Sequence, residues 1–512
     1  MSLCVNSDPA VCAARTRRGS FACAILLICA AVAALTGCGL VRFEPDPKVA
    51  PSQSVNRSWT PPFSLGTRAD AASRLEELRR VGESPKIRAQ APRDYDLPAL
   101  IDLALRTSPQ TQQAWYAAWA ANGSLGQAQA PNYPTIQADG VGGYFKLPIQ
   151  FPGKTLIIRN SDFLPQFKVT YDLLDFGRTR AQERSAREQL IAANFALNRS
   201  IQDVVFTVEK AHYILAAANA SVSAAEANLK LARTSLDAVQ ERHHMGLATK
   251  PQVLLAKQVE AQAVYDLENA KSGVHDAETA LRQAVGVAAD AAISVQGGRL
   301  ERLPENLGDD VEKLMTDAIK ERPDIAAKIA AVRAGDAAIA RTRAEYYPEV
   351  EIAGNYGQII WNYTVNSGST QNLNQPFYGI GATMRWDLFT GFSRYYGEQK
   401  AIAQRNAARS QLRSLQLDVT ATVWTAYYDY LSARKKLDAA QALVDASEES
   451  YAANLESHRH GLATITDLIG AERDLMGARY TQVQSTAGLL LSSSALVHAV
   501  GSASPAGASS KH

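Results

Sequence analysis

Two periodicities alternate along the chain, and each occurs twice. Phe163, Pro165, Phe167, Val169, Tyr171 and Leu173 alternate with Leu164, Gln166, Lys168, Thr170 and Asp172. This two-residue period is that of a strand with one apolar face. Tyr378, Ile380, Ala382, Met384, Trp386 and Leu388 repeat it against Gly379, Gly381, Thr383, Arg385 and Asp387. Weaker alternation with Gly and aromatic residues runs over Ile136–Tyr144 and Val350–Tyr356. The pattern predicts two pairs of strands, each pair joined by a long loop, at about 145–162 and 358–376. Segments near ten residues with aromatic ends suit a membrane β-barrel. A soluble, half-buried sheet has the same pattern.

After each strand pair the period changes to that of a helix. From Arg178 to His243 there is neither proline nor glycine, so the run predicts a rod of roughly 100 Å at about 1.5 Å per residue. Its apolar residues recur every seven positions. One row is Leu190, Leu197, Val204, Ala211, Ala218, Ala225, Ala232 and Val239; the other is Ile201, Val208, Leu215, Val222, Leu229 and Leu236. A sustained seven-residue period predicts a left-handed coiled coil. The rod stops at Met245-Gly246 and resumes after Pro251 as a return helix to about Val285. Val253, Leu267, Val274 and Leu281 form one of its rows; Ala256, Ala263, Ala270, Ala277 and Ala284 form the other. So few connecting residues require the two helices to be antiparallel. Leu412, Val419, Ala426, Ala433 and Ala440 begin the same arrangement around Gly461.

The doubling is literal. Gly246-Leu247-Ala248-Thr249 returns as Gly461-Leu462-Ala463-Thr464, Val285-Gly286 as Val500-Gly501, and Tyr171-Asp172-Leu173 as Trp386-Asp387-Leu388, each 215 positions later. Upstream the offset is 214: Asp96 with Asp310, Leu100 with Leu314, Pro109 with Pro323, and Tyr133-Pro134 with Tyr347-Pro348. A period this long is a duplicated half rather than a solenoid repeat. The first repeat spans 96–287 and the second 310–501, with a linker at 288–309 and a small, polar tail at 502–512 that reads as disordered. Each repeat opens with a helical stretch, from Leu97 to near Pro131 in the first, within which Pro109 starts a fresh segment or a kink.

Composition refines this picture at the N-terminus. All five cysteines (Cys4, Cys12, Cys23, Cys29 and Cys38) precede residue 39, which excludes disulfides, thiolate metal sites and cysteine nucleophiles from the rest of the chain. Arg15, Arg17 and Arg18 precede an apolar run from Phe21 to Leu35 that ends in Leu35-Thr36-Gly37-Cys38. Residues 1–37 thus look like a lipoprotein signal peptide, with Cys38 the lipidated first residue of the mature chain; an ordinary signal peptide with an incidental cysteine is the alternative. Gly39, where an aspartate would favour inner-membrane retention, points to the outer membrane. Residues 38–95 read as a proline-rich, lipid-anchored tether, with a short helix between Asp70 and Gly82. A net charge of +2 gives no hint of a nucleic-acid partner.

Taken in order, these features resemble the outer-membrane efflux channels of the TolC family, and within it the lipoprotein members of tripartite pumps. The resemblance covers about 96–501. It is carried by Arg322-Pro323-Asp324-Ile325 with Ala331 and Tyr347-Pro348-Glu349-Val350, by Trp386-Asp387-Leu388-Phe389-Thr390-Gly391, and by Gly461-Leu462-Ala463-Thr464 with Asp467-Leu468. It implies a mixed α and β membrane protein: a trimeric, twelve-stranded β-barrel, four strands per protomer, continuous with a long periplasmic α-helical coiled-coil barrel. The implied function is passive conduction of substrates from an inner-membrane transporter and a periplasmic adaptor to the exterior. The implied partners are a homotrimer, that adaptor, that transporter and outer-membrane lipid, with no cofactor other than the covalent lipid on Cys38. The competing class is a lipid-anchored periplasmic coiled-coil adaptor, which usually has one hairpin rather than two.

The resemblance puts adaptor contact at the two turns, Gly246-Leu247-Ala248-Thr249 and Gly461-Leu462-Ala463-Thr464, and a periplasmic gate at Asp467, where the first repeat has Gln252. His243, His244, His458 and His460 flank the turns and read as solvated tip residues, with a protonation sensor or a metal site as alternatives. No zinc motif, phosphate loop or nucleophile elbow occurs, so no catalytic or metal residue is assigned.

Overall fold

The computed structural model describes residues 94–288, 294–295, 310–366 and 368–502, with three further positions at 54, 56 and 57. The signal segment, Cys38 and the helix expected near 70–82 lie outside the described residues, as do most of the tether, the linker and the tail. Among the described residues β1 (Asp94–Tyr95) leads into α1 (Leu97–Thr107) and α2 (Pro109–Gln129). Strands β2 (Thr135–Phe151) and β3 (Lys154–Leu174) follow, then α3 (Arg178–His244) and α4 (Lys250–Val285). After β4 (Ser294–Val295) the set recurs as α5 (Val311–Glu321), α6 (Pro323–Ala344), β5 (Glu349–Val365), β6 (Gln371–Arg385), α7 (Ser393–Arg459) and α8 (Ile465–Val500).

The helical expectations hold closely. Helices α3 and α7 each contain 67 residues, about 100 Å at 1.5 Å per residue. Of the first seam, Leu190, Leu197, Val204, Ala211, Ala225, Ala232 and Val239 are buried, as are Ile201, Val208, Leu215 and Leu229 of the second. Ala256, Ala263, Leu267, Ala277 and Leu281 meet them from α4. Pro109 starts a new helix rather than kinking one: Ser108 is extended at ψ 122°, as the residue before a proline prefers. Arg322 before Pro323 is extended in the same way.

Each repeat closes on its own beginning. Gly286 ends α4 at φ 80°, and a Cβ there would lie 3.1 Å from the Ser108 backbone. In the second repeat a Cβ on Gly501, φ 84°, would lie 2.7 Å from Arg322 Cγ. Arg322 is 7% exposed; it forks onto Asp324 through Nε (3.1 Å) and a terminal nitrogen (2.7 Å) and donates to the Ala499 carbonyl at 2.8 Å. Burial works against the Asp324 charge, but the hydrogen bonds and field of Arg322, with Arg199 beyond, hold its carboxyl below the usual range. This is the structural work of the Arg322-Pro323-Asp324-Ile325 motif. Helix α8 is, by length and composition, apolar enough to cross a bilayer. Its buried residues pack instead against α7 and α3.

The sheet departs from expectation. Its order is β2-β3-β5-β6, antiparallel throughout, so the two repeats join at β3–β5. The segment expected as a loop at 145–162 is strand except for the turn at Pro152-Gly153, where Gly153 has φ 84°. The loop expected at 358–376 shrinks to 366–370, and β6 ends at Arg385, before Trp386. The strands contain 17, 21, 17 and 15 residues rather than about ten. The extra length escaped the alternation test because the apolar residues change faces part-way along. Among the described residues, outer strands β2 and β6 each keep one edge without a partner strand.

Candidate functional site

Both hairpin turns are built in the same way. The Gly246 N–H donates to the His243 carbonyl at 3.0 Å and the Leu247 N–H to the Arg242 carbonyl at 2.8 Å. Gly461 and Leu462 repeat these bonds to His458 (3.1 Å) and Ser457 (2.8 Å). This is the Schellman stop, which requires a left-handed residue after the helix; Gly246 and Gly461 supply it at φ 74° and 75°. That motif commonly tucks its following apolar residue back onto the helix. Here Leu247 is 66% and Leu462 84% exposed, so each tip presents a bare leucine.

Thr249 and Thr464 then start the return helices with capping boxes. The Thr249 N–H donates to Gln252 Oε1 at 2.8 Å. The Thr464 N–H and hydroxyl donate to Asp467 Oδ2 at 2.9 and 2.6 Å, and the Asp467 N–H returns to the hydroxyl at 3.2 Å. Those bonds from Thr464 hold the exposed Asp467 carboxyl below the ordinary range. Asp467 and Gln252 therefore share a structural task and differ in charge. The box was legible as T-x-x-Q and T-x-x-D, and reading Asp467 for its charge alone overlooked it.

The histidines complete each turn. His243 Nδ1 lies 2.7 Å from the Ala248 carbonyl and His458 Nδ1 lies 3.0 Å from that of Ala463. Of these two, His458 is also engaged across the hairpins, with Arg242 3.0 Å from its Nε2. His460 pairs with Glu456 at 2.9 Å on its own helix. Among the described residues no group of three or more His, Cys, Asp or Glu is placed to hold a metal.

Above the tips the two hairpins share a seam between α3 and α8. Ile465, Leu468 and Ile469 are buried against Val239, Ala256 and Val259 of the first hairpin. Next along α8, Glu472 is fully buried; its Oε2 accepts from the Ser235 hydroxyl at 2.7 Å and its Oε1 finds no partner. Burial pushes the Glu472 carboxyl up, and burial, with Glu472 nearby, pushes the Tyr451 hydroxyl up. Further along, the pair is reversed: Ser494 of α8 donates to Glu209 of α3, whose carboxyl burial also raises. The seam ends where His498 stacks on Phe206 at 4.4 Å and meets Asp203 at 2.8 Å. These polar seam contacts had no sequence signal, because their partners lie more than 200 residues apart.

A four-stranded sheet continuous with two hairpins of this length defines the subunit of an outer-membrane channel. The chain belongs to the outer membrane efflux protein family, which it matches over residues 100–287 and 314–502. Protein CyaE of Bordetella pertussis is 28% identical over 410 residues, covering 80% of this chain and 84% of CyaE. The antibiotic efflux pump outer membrane protein ArpC of Pseudomonas putida is 23% identical over 485 residues, covering 91% of this chain and 93% of ArpC. The outer membrane protein VceC of Vibrio cholerae has the same fold, with a TM-score of 0.66 at 22% identity over 79% of this chain and 96% of VceC. Family membership removes the adaptor alternative.

Proposed function

We propose that three copies of the chain assemble into one conduit through the outer membrane and periplasm, working passively beside an inner-membrane transporter and a periplasmic adaptor. The observation that carries this reading is the sheet with two unpaired edges. In hydrocarbon an edge strand leaves backbone N–H and C=O groups unsatisfied, at several kcal/mol each. Four strands cannot close a barrel, so β6 of one copy pairs with β2 of the next; three copies give a closed barrel of twelve. The hairpins continue that barrel as a helical tube, and its small alanine rows let neighbouring helices approach.

The adaptor docks on the tips, where Leu247 and Leu462 offer an apolar anchor from each hairpin, six per assembly. Gly246, Ala248, Thr249, Gly461, Ala463 and Thr464 leave the backbone beside those anchors open. Asp467 contributes one carboxylate per copy at the entrance, a ring that favours cations, while Gln252 contributes none. Cys38 carries the lipid that holds the N-terminus to the outer membrane. An SDS-resistant, heat-modifiable trimer in outer-membrane fractions tests the assembly, and a monomer released by alkali would overturn it. Loss of metabolic palmitate labelling in Cys38→Ser tests the anchor.

A further inference from the structure

Along β3 the exposed residues Phe163, Phe167 and Val169 alternate with half-buried ones, among them Asn160, Asp162 and Lys168. In the barrel proposed above, the exposed apolar residues face lipid and the others face the axis. Toward the hairpin ends the axial face carries Val141–Leu164 with Ile359–Gln375, then the rows Gly143–Asp162–Trp361–Leu373, Phe145–Asn160–Tyr363–Gln371 and Leu147–Ile158–Val365. Asp162 is the one charged side chain in this stretch. Lys168, the nearest base on the same face of β3, stands six residues away, about 20 Å along the strand.

The middle strand supplies the polar atoms here, and its neighbours supply the rings. Asp162 lies opposite Trp361, and Asn160 lies between Phe145 and Tyr363. Directly opposed side chains stand about 5 Å apart at Cβ, so each ring starts beside one of the two polar groups. Trp361 and Tyr363 are themselves in contact, with centroids 5.6 Å apart and planes at 45°. On the other side Gly143 makes the room. A Cβ there would lie 2.9 Å from the Phe145 ring and 3.7 Å from Asp162 Oδ1, so ring and carboxylate share the space that a side chain would fill.

Two oxygens of this cluster, Asp162 Oδ1 and Asn160 Oδ1, are buried without a hydrogen-bond donor among the described residues. They belong to side chains two residues apart on one strand face, about 7 Å along the chain. Buried acceptors are nearly always paired, so two orphans side by side call for a donor from outside the chain. A bare inorganic ion would meet the oxygens and leave the rings unused. An ammonium group on an apolar body uses both: its N–H bonds reach the oxygens, its charge balances Asp162, and aromatic faces attract a cation.

We propose that Asp162, Asn160, Phe145, Trp361 and Tyr363 form a subsite for an organic ammonium ion on the axial wall, toward the hairpin ends of the strands. The ammonium group donates to the Asp162 and Asn160 oxygens, and its apolar body lies between Phe145 and the Trp361–Tyr363 pair. Each copy carries one such subsite. The subsite rests on the barrel proposed above and adds to it a class of solute that the wall itself recognises on the way out.

Leu373 lies opposite Trp361, and the chain has no cysteine after Cys38, so Leu373→Cys reports whether the subsite is filled. Purified protein that migrates as a trimer is reacted with methyl methanethiosulfonate, a neutral reagent whose approach does not depend on the Asp162 charge. Phenethylamine, protonated at neutral pH, should slow the reaction several-fold; phenethyl alcohol, of the same shape, should not. Added to this background, Asp162→Asn and Trp361→Leu should each raise the half-protecting amine concentration several-fold. Tyr363→Leu takes the place of Trp361→Leu if the latter does not assemble. Equal protection by the alcohol overturns the proposal, as does unchanged protection by the amine in either trimeric variant. Absence of protection in a trimer removes the subsite and leaves the channel standing. A protein that is monomeric in outer-membrane fractions removes the channel reading, and the subsite falls with it.

Discussion

Arg242 and His458, the last-turn residues of α3 and α7, meet 3.0 Å apart and join the two hairpin tips of one chain. The arrangement fixes the histidine tautomer. The Ala463 carbonyl can only accept, so Nδ1 carries the proton; the guanidinium can only donate, so Nε2 is bare. A second proton on the ring would remove the acceptor that faces Arg242. His243 has the same carbonyl bond in the first repeat, but the cross-hairpin contact belongs to His458.

Arg242→Ala and His458→Ala should each loosen the tips, with a coupling of about 0.2–1 kcal/mol for a partly exposed contact. A double-mutant cycle on thermal unfolding measures it, and hydrogen exchange at Leu462 should rise in both single variants. Additive effects would show that the contact does not couple the tips.

The seam should tighten in mild acid. Burial raises the Glu472 carboxyl from its ordinary 4.5, so the folded protein holds that proton at pH values where the unfolded chain has lost it. Stability from the neutral form is complete below 4.5 and declines as pH rises to the folded value. Glu209 adds to the same trend. Glu472→Gln should raise the melting temperature at neutral pH and flatten its dependence on pH above 4.5; an unchanged pH profile would count against the buried acid.

At Asp467 capping and charge are separable. Asp467→Asn keeps an acceptor for the Thr464 N–H and removes the charge; Asp467→Ala removes both. The alanine variant should lose local helix stability, because the Thr464 N–H and hydroxyl lose their acceptor, read as faster hydrogen exchange in the first turn of α8. Planar-bilayer conductance should lose cation preference in both variants. No change in conductance or preference in either would remove Asp467 from the gate.

The two left-handed glycines that end α7 and α8 should differ in tolerance. Gly461→Ala meets no neighbouring atom and carries only the left-handed backbone strain, about 1–2 kcal/mol. Gly501→Ala adds a contact of 2.7 Å with buried Arg322, so its loss of trimer thermal stability should be clearly the larger. Equal losses would mean that Arg322 shifts freely.

The sequence by itself determined the duplication, the two rods and their turns, because each is written in local signals. A seven-residue apolar period, a glycine at a left-handed stop and a proline at a helix start act within one or two turns of the chain. It also determined the helix-proximal part of the strands, Phe163–Leu173 among them, where one face stays apolar. Tertiary structure decided what depends on side chains distant in sequence. The Arg242–His458 contact and the Ser235–Glu472 pair unite residues 216 and 237 positions apart. The hairpin halves of the strands were lost to sequence reading for a physical reason: the apolar positions of β2 pass from Ile136 and Ala138 to Val141, Phe145 and Leu147, so alternation changes phase, and only the register of the neighbouring strands reveals that the strand continues.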